Sequence, residues 1–296
     1  MVYGNCGNGT VPAGLEQYVP SRKSGTTGDV FDLSGRAARL LLKETELYDY
    51  AWDVEEIKQE LGSFINGFGK KAAEYKMEID FTGSRAERAD SMAKFFEVVE
   101  QDILAKKTGK LYLEDQYINC FVIKGAYEDL KDQYNKVRKE VTVYAPYPFW
   151  IVERKATYQK QDIPKGSGNL DYAYDYPYDM TPLKRGIDYL ENDHYTDSHF
   201  KMIIYGPASD PAVYIQNQAY QVYTTIEEKE YLVIDSKEHT VCRVKNDGTK
   251  ISEYNNRLKE QSIFEKIPAG IHQINWSGNF GFDIILFHER SEPKWN

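Results

Sequence analysis

Cysteine is nearly missing from this chain: three in 296 residues, at positions 6, 120 and 242, odd in number and with no C-x-x-C among them. That argues against a disulfide framework or a zinc knuckle and fits thiols kept reduced. No run approaches about 18 apolar residues, so no membrane-spanning helix or membrane insertion is expected. The first residues lack a basic segment followed by an apolar stretch, so no signal peptide is expected. Positive charge is in deficit, 37 Lys and Arg against 46 Asp and Glu, for a net charge of −9. Stable binding of free nucleic acid is therefore not expected, because phosphate contacts need a basic surface that releases counterions.

Motifs that carry chemistry are also missing. "GNCGNG" at 4–9 has the wrong glycine spacing for a dinucleotide loop, and neither a P-loop nor G-x-S-x-G occurs. Of the five histidines only His194 and His199 stand close, in "DHYTDSH" with Asp193 and Asp197. A His-x4-His pair with carboxylates can hold a divalent metal. No third cluster completes it, and an exposed polar loop accounts for the same residues. Carboxylates are plentiful enough for a glycosidase pair, but no motif selects two of them. Cys242 alternates with Val241 and Val244, which suits a buried thiol better than a nucleophile. Trp150 and Trp276 sit among apolar neighbours and read as buried packing; the alternative is stacking on a sugar ring. The expectation is a protein with no catalytic, cofactor-binding or metal residues.

What is abundant is tyrosine, 24 residues, within a chain that is 41% hydrophobic. Tyrosine suits half-buried pleated surfaces, and many short alternating runs accompany it, so a mainly β protein is predicted. At roughly 100–200 residues per domain the length suggests two domains. The boundary is placed near 155: 1–155 as an N-terminal domain, with 1–30 an arm or loops, and 156–296 as a C-terminal one. "RAARLLLKETELYDYAWDVEEIK" reads as two strands around a turn, and "EYKMEIDF" as a strand burying Tyr75, Met77, Ile79 and Phe81.

One segment is helical. "SRAERADSMAKFFEVVEQDILAKKTG" opens with Ser84 and Glu87 at capping-box spacing, and Ala89, Met92, Phe96, Val99 and Ile103 form one apolar stripe. Lys106 and Lys107 fall in its last turn, and Gly109 can cap it. "KLYLEDQYINCFVIKG" follows as a β-hairpin, and "KVRKEVTVYAPYPFW" as a strand stopped by Pro146 and Pro148. "GSGNLDYAYDYPYDM" is a long linker or an aromatic binding platform. From Met202 short strands recur at sandwich spacing, and "NDG" at 246–248 marks a turn. The chain closes on "FHERSEPKWN", with Trp295 expected to fold back on apolar surface.

"FKMIIYGPASDPAVYIQNQAYQVY", "EYLVIDSKEHTVCRVKNDG", "SIFEKIPAGIHQINWSGNFGFDI" and "ERSEPKW", in that order, resemble the distal tail (Dit) family of phage tail proteins. "KEVTVYAPYPFW" and "LDYAYDYPYDM" resemble that family's domain junction. The resemblance covers about residues 70–296 and rests on the order of its motifs. It implies an N-terminal β domain with one helix and a β-hairpin, and a C-terminal galectin-like β-sandwich. It further implies a homo-hexameric ring at the virion tail tip, assembled in the bacterial host cytoplasm. Implied partners are the major tail tube protein, the tail-associated hub protein and, in many phages, a receptor-binding protein. An acidic lumen would let DNA pass without sticking. The hairpin at 110–124, or the strands beside it, is the expected contact between subunits, by strand addition. The competing reading is a carbohydrate-binding module protein on a galectin-like sandwich, and a third is a glycoside hydrolase.

Overall fold

The computed structural model describes residues 16–19, 31–35, 37–127, 136–161 and 186–294. Cys6, Trp295, the tyrosine-rich stretch at 166–180 and most of the 1–30 arm fall outside them. The chain is mainly β and divides into two units, Glu153–His288 and Cys6–Val152 together with Glu289–Asn296. The residues from Glu289 onward thus belong with the first unit rather than with the second.

In the first unit the strands are β1 (Glu16–Val19), β2 (Phe31–Asp32), β3 (Ala38–Leu40), β4 (Asp53–Lys58), β5 (Ser63–Gly69) and β6 (Ala73–Thr82). Helix α1 (Arg85–Ala105) follows, then β7 (Gly109–Leu113), β8 (Gln116–Tyr127), β9 (Lys136–Ala145) and β10 (Trp150–Tyr158), the last of which belongs to this unit only up to Val152. Pairing runs β3–β6–β9–β8–β7–β1–β2. Strand β8 is long enough to serve two neighbours. Its first half pairs with β7 and its second half, past a register shift between Val122 and Lys124, with β9. The alternation of Tyr75, Met77, Ile79 and Phe81 places all four in the core, beside Ile118, Cys120, Val141, Val143 and Trp150. Residues 16–19 are not loop: β1 pairs with β2 on one side and β7 on the other.

That arrangement leaves the 110–124 hairpin little open edge for strand addition between subunits. Strand β7 lies between β1 and β8 and offers no free edge, and Gln116 and Tyr117 of β8 are paired on both sides, with β7 and β10; from Phe121 onward β8 pairs with β9 alone. Ile118 is fully buried.

Helix α1 starts as its cap predicts. The Ser84 hydroxyl accepts from the Glu87 N–H, and the Glu87 carboxylate accepts from the Ser84 N–H. The buried line, however, is Arg88, Phe95, Val99 and Asp102, with Met92 and Phe96 packed at its margin. Ile103 is exposed. The helix also ends earlier than Gly109 would allow. Lys106 takes the left-handed cap conformation, φ 53°, and donates its N–H to the Asp102 and Ile103 carbonyls. Gly109 is instead the first residue of β7.

One side chain grips the chain at Lys294. Gln116, buried at the start of β8, donates from Nε2 to the Lys294 carbonyl (3.1 Å) and accepts the Lys294 N–H at Oε1 (2.8 Å). Pro293 beside it is buried. Gln116→Ala is expected to cost about 1 kcal/mol, the net worth of an ordinary hydrogen bond or two. Faster carboxypeptidase trimming of the variant is the check, and unchanged trimming would show the tail held by something else.

The second unit comprises β11 (Gly186–Asn192), β12 (His199–Tyr205), β13 (Ala208–Ser209), β14 (Ala212–Ile215), β15 (Gln218–Gln221) and β16 (Thr225–Ile226). It continues with β17 (Tyr231–Asp235), β18 (Thr240–Val244), β19 (Lys250–Ser252), β20 (Gly270–Trp276) and β21 (Phe282–Arg290). Two sheets form, β19–β18–β17–β12–β21 and β11–β20–β14–β15. Alternate residues of facing strands fill the space between them: Phe200, Met202 and Ile204 with Phe282, Ile284 and Leu286 from one sheet, Val213, Ile215, Ile274 and Trp276 from the other. This is a β-sandwich, as period-2 patterning requires when one face is dry. Gly186 is needed where it stands, because a Cβ there would fall inside the Trp276 indole ring. Of "SIFEKIPAGIHQINW", Gly270–Trp276 is strand, whereas 262–269 is loop apart from an isolated bridge at Ile267.

Candidate assembly surface

The residues weighed for chemistry disperse. Trp150 and Trp276 lie in the cores of separate units, and the Trp276 indole donates to the Phe280 carbonyl at 3.1 Å. His194 stacks on His288 at 4.8 Å, whereas the His199 Nδ1 lies 3.2 Å from the Ser236 hydroxyl. Among the described residues no group of three or more His, Cys, Asp or Glu is placed to hold a metal. Cys242 is half-buried rather than buried, and Cys120 is the deeply buried thiol, its pKa pushed up to about 12 by burial.

The feature that departs from ordinary surface physics is the β4–β5 hairpin. Val54, Ile57, Leu61, Phe64, Ile65 and Phe68 are between 51% and 94% exposed. In the register Val54 faces Phe68, Glu56 faces Ile65 and Ile57 faces Phe64, with Asn66 passed over where the ladder shifts. Successive ladder pairs point to opposite faces. Val54, Ile65 and Phe68 therefore share one face, and Ile57 and Phe64 the other. A two-stranded ribbon is marginal in water even with one covered side, and this one shows apolar residues on both. Among the described residues β4 and β5 pair only with each other, leaving both outer edges open. Apolar patches of this kind mark interaction sites, and open edges add strand pairing to the attraction.

The base of the ribbon is organised. Lys70 Nζ lies 4.4 Å from the Phe149 ring centroid and 5.5 Å from that of Trp52, and donates to the Pro148 carbonyl at 2.8 Å. Trp52 meets Phe149 edge to face at 6.1 Å. Burial lowers the Lys70 pKa from 10.5 to about 8. Between those values the unfolded chain binds the proton and the folded one releases it, so this group adds stability as pH rises from 8 towards 10.5. At pH 8 Lys70 should react with an acylating reagent well ahead of the other lysines, read by peptide mass spectrometry. Uniform labelling would contradict its burial among the aromatic rings.

The hairpin was only half legible. "DVEEIK" reads as strand, but "SFINGFG" places apolar residues at both parities, which marks no buried face and so gives no period-2 signal. The missing alternation matches the apolar residues that the ribbon shows on both faces.

No family model matches the chain, and no curated protein matches it. Solved structures do. The Dit protein of phage SPP1, a paradigm of the hub adsorption apparatus in Gram-positive-infecting phages, superposes with a TM-score of 0.57 at 8% identity, covering 93% of this chain and 99% of that one. A chain of the phage P2 baseplate in its activated conformation with calcium gives 0.62 at 14% identity, covering 94% and 99%. The strontium form gives 0.62 at 15%, covering 95% and 100%. The chain shares the fold of these proteins along nearly its whole length.

Proposed function

We propose that this protein is a structural component of a phage tail tip, a distal tail protein that assembles into a homo-hexameric ring. The observation that carries the reading is the β4–β5 hairpin, apolar on both faces and open at both edges, on a chain folded like the SPP1 Dit protein. Such a ribbon gains stability only when a neighbour covers it, and a closed ring of identical copies satisfies every ribbon at once. In this role the first unit builds the ring, and the β-sandwich is a second domain. The ring joins the tail tube to the tail hub, with receptor-binding parts attached beyond it. The protein is not an enzyme in this reading; its work is done by shape and contact. Assembly takes place in the host cytoplasm, and a net charge of −9 suits a channel that DNA must pass without sticking.

The test is solution mass across a concentration series, followed by negative-stain imaging. Six-fold rings are expected. A monomer at every concentration, with no ring in isolated tails, would overturn the proposal.

A further inference from the structure

Within the β-sandwich, the loop at 254–266 lines a cleft of about 630 Å³. That is the size range of sites for small organic ligands rather than for a bare ion. Its wall is fixed by hydrogen bonds along the sandwich. Leu258 N–H donates to the Gln221 carbonyl (2.9 Å), Gln218 Nε2 to the Ser262 carbonyl (2.8 Å), and Ala219 N–H to Gln261 Oε1 (2.9 Å). The Tyr220 hydroxyl donates to the Glu265 carbonyl at 3.1 Å. The cleft is thus formed before any ligand arrives, which lowers the ordering cost of binding.

Its chemistry runs against the rest of the chain. Acids outnumber bases overall, 46 to 37, yet the cleft is lined by Arg257, Lys259 and Lys266 with His199 and His239, against Glu260 and Glu265 alone. Arg257 is held in place. Its guanidinium carbon sits 3.8 Å from the centroid of the Tyr254 ring, and Nη1 donates to the Tyr254 carbonyl at 2.6 Å. Its backbone bridges to Val222. Among the described residues neither Arg257, Lys259 nor Lys266 forms an ion pair with a carboxylate. A stacked arginine with donors left over and no acidic partner is suited to a planar or tetrahedral anion. Beside it, Glu260 and the edges of Tyr254 and Phe264 supply acceptors and apolar contact.

We infer that this cleft binds a saccharide unit carrying an anionic substituent, the anion on Arg257 and the two lysines and the hydroxyls on the flanking polar groups. Carboxylated and phosphorylated sugars share that chemistry. The inference does not rest on ring assembly, since the cleft is built within one copy of the sandwich.

The experiment is a calorimetric and NMR titration of the full-length protein with glucuronate and glucose 6-phosphate, with glucose and inorganic phosphate as comparisons. Either anionic sugar should saturate with a Kd of about 1 mM or tighter and weaken as salt rises. Which of the two binds more tightly identifies a carboxylate or a phosphate as the natural substituent. Glucose and inorganic phosphate should each bind at least tenfold more weakly. Arg257→Gln should weaken binding tenfold or more. Because Arg257 also braces its loop, the exposed pair Lys259→Glu and Lys266→Glu is the second variant, expected to abolish binding with the melting curve unchanged. No saturable binding of either anionic sugar would overturn the inference. So would glucose or phosphate binding equally well, or an unaltered affinity in the lysine variant.

Discussion

With Phe64→Lys and Phe68→Lys combined, the protein should behave as a monomer at concentrations where the unaltered chain forms rings, while its melting curve barely moves. Both side chains are more than half exposed, so removing them from the isolated copy deletes little packing, and surface changes of this kind usually stay within about 0.5 kcal/mol. Between copies the balance differs. Two phenyl rings are withdrawn from each covered ribbon, one from each face, and a charge is placed where a neighbour must dry the surface. Lysine on an open strand is also a recognised guard against edge pairing. Sedimentation velocity reads the result directly. Rings persisting in the double variant would remove the hairpin from the contact and, with it, the main support for the assembly reading.

Phe95→Ala should be the most damaging single truncation in the first unit, at about 3–5 kcal/mol by urea denaturation. Phe95 is 1% exposed and lies 5.6 Å from Phe31, 6.2 Å from Phe81 and 5.1 Å from Phe96, ring centroid to centroid. Removing it opens a hole among three aromatic rings that cannot all close in. Phe96→Ala should cost clearly less, because that ring is half-buried, resting against Gly125 with Lys139 over its face at 4.9 Å. Equal costs for the two would mean that the helix sits rotated from the position described.

That pair also shows where reading the sequence stops. The capping box at Ser84 and Glu87 was legible because its two hydrogen bonds are local and depend on spacing alone. The stripe was not, because Phe95 and Phe96 are adjacent and either one fits a three-and-four repeat. The structure takes Phe95 and completes the line with Arg88 and Asp102, polar residues that a count of apolar positions passes over. Arg88 is accommodated by donating from Nη1 to the Gly83 carbonyl at 2.9 Å, just before the helix begins. The sandwich was more transparent, since residues such as Phe200, Met202 and Ile204 repeat with the pleat itself. The 254–266 cleft left no trace in the pattern. Its basic residues are spread over a strand, a turn and a loop, and only long-range bonds such as that from Tyr220 to Glu265 gather them.

The grip of Gln116 on Lys294 sets an order in time as well as in space. A ribosome delivers β8 early and Glu289–Lys294 only after all of Glu153–His288 has been made, roughly ten to thirty seconds later at about 5–20 residues per second. Through that interval the unit that bears the hairpin lacks the segment that finishes it, and the Gln116 amide waits without its partner. A copy released before Lys294 would carry a fault in the first unit as well as any in the sandwich, because the partner of Gln116 would be missing.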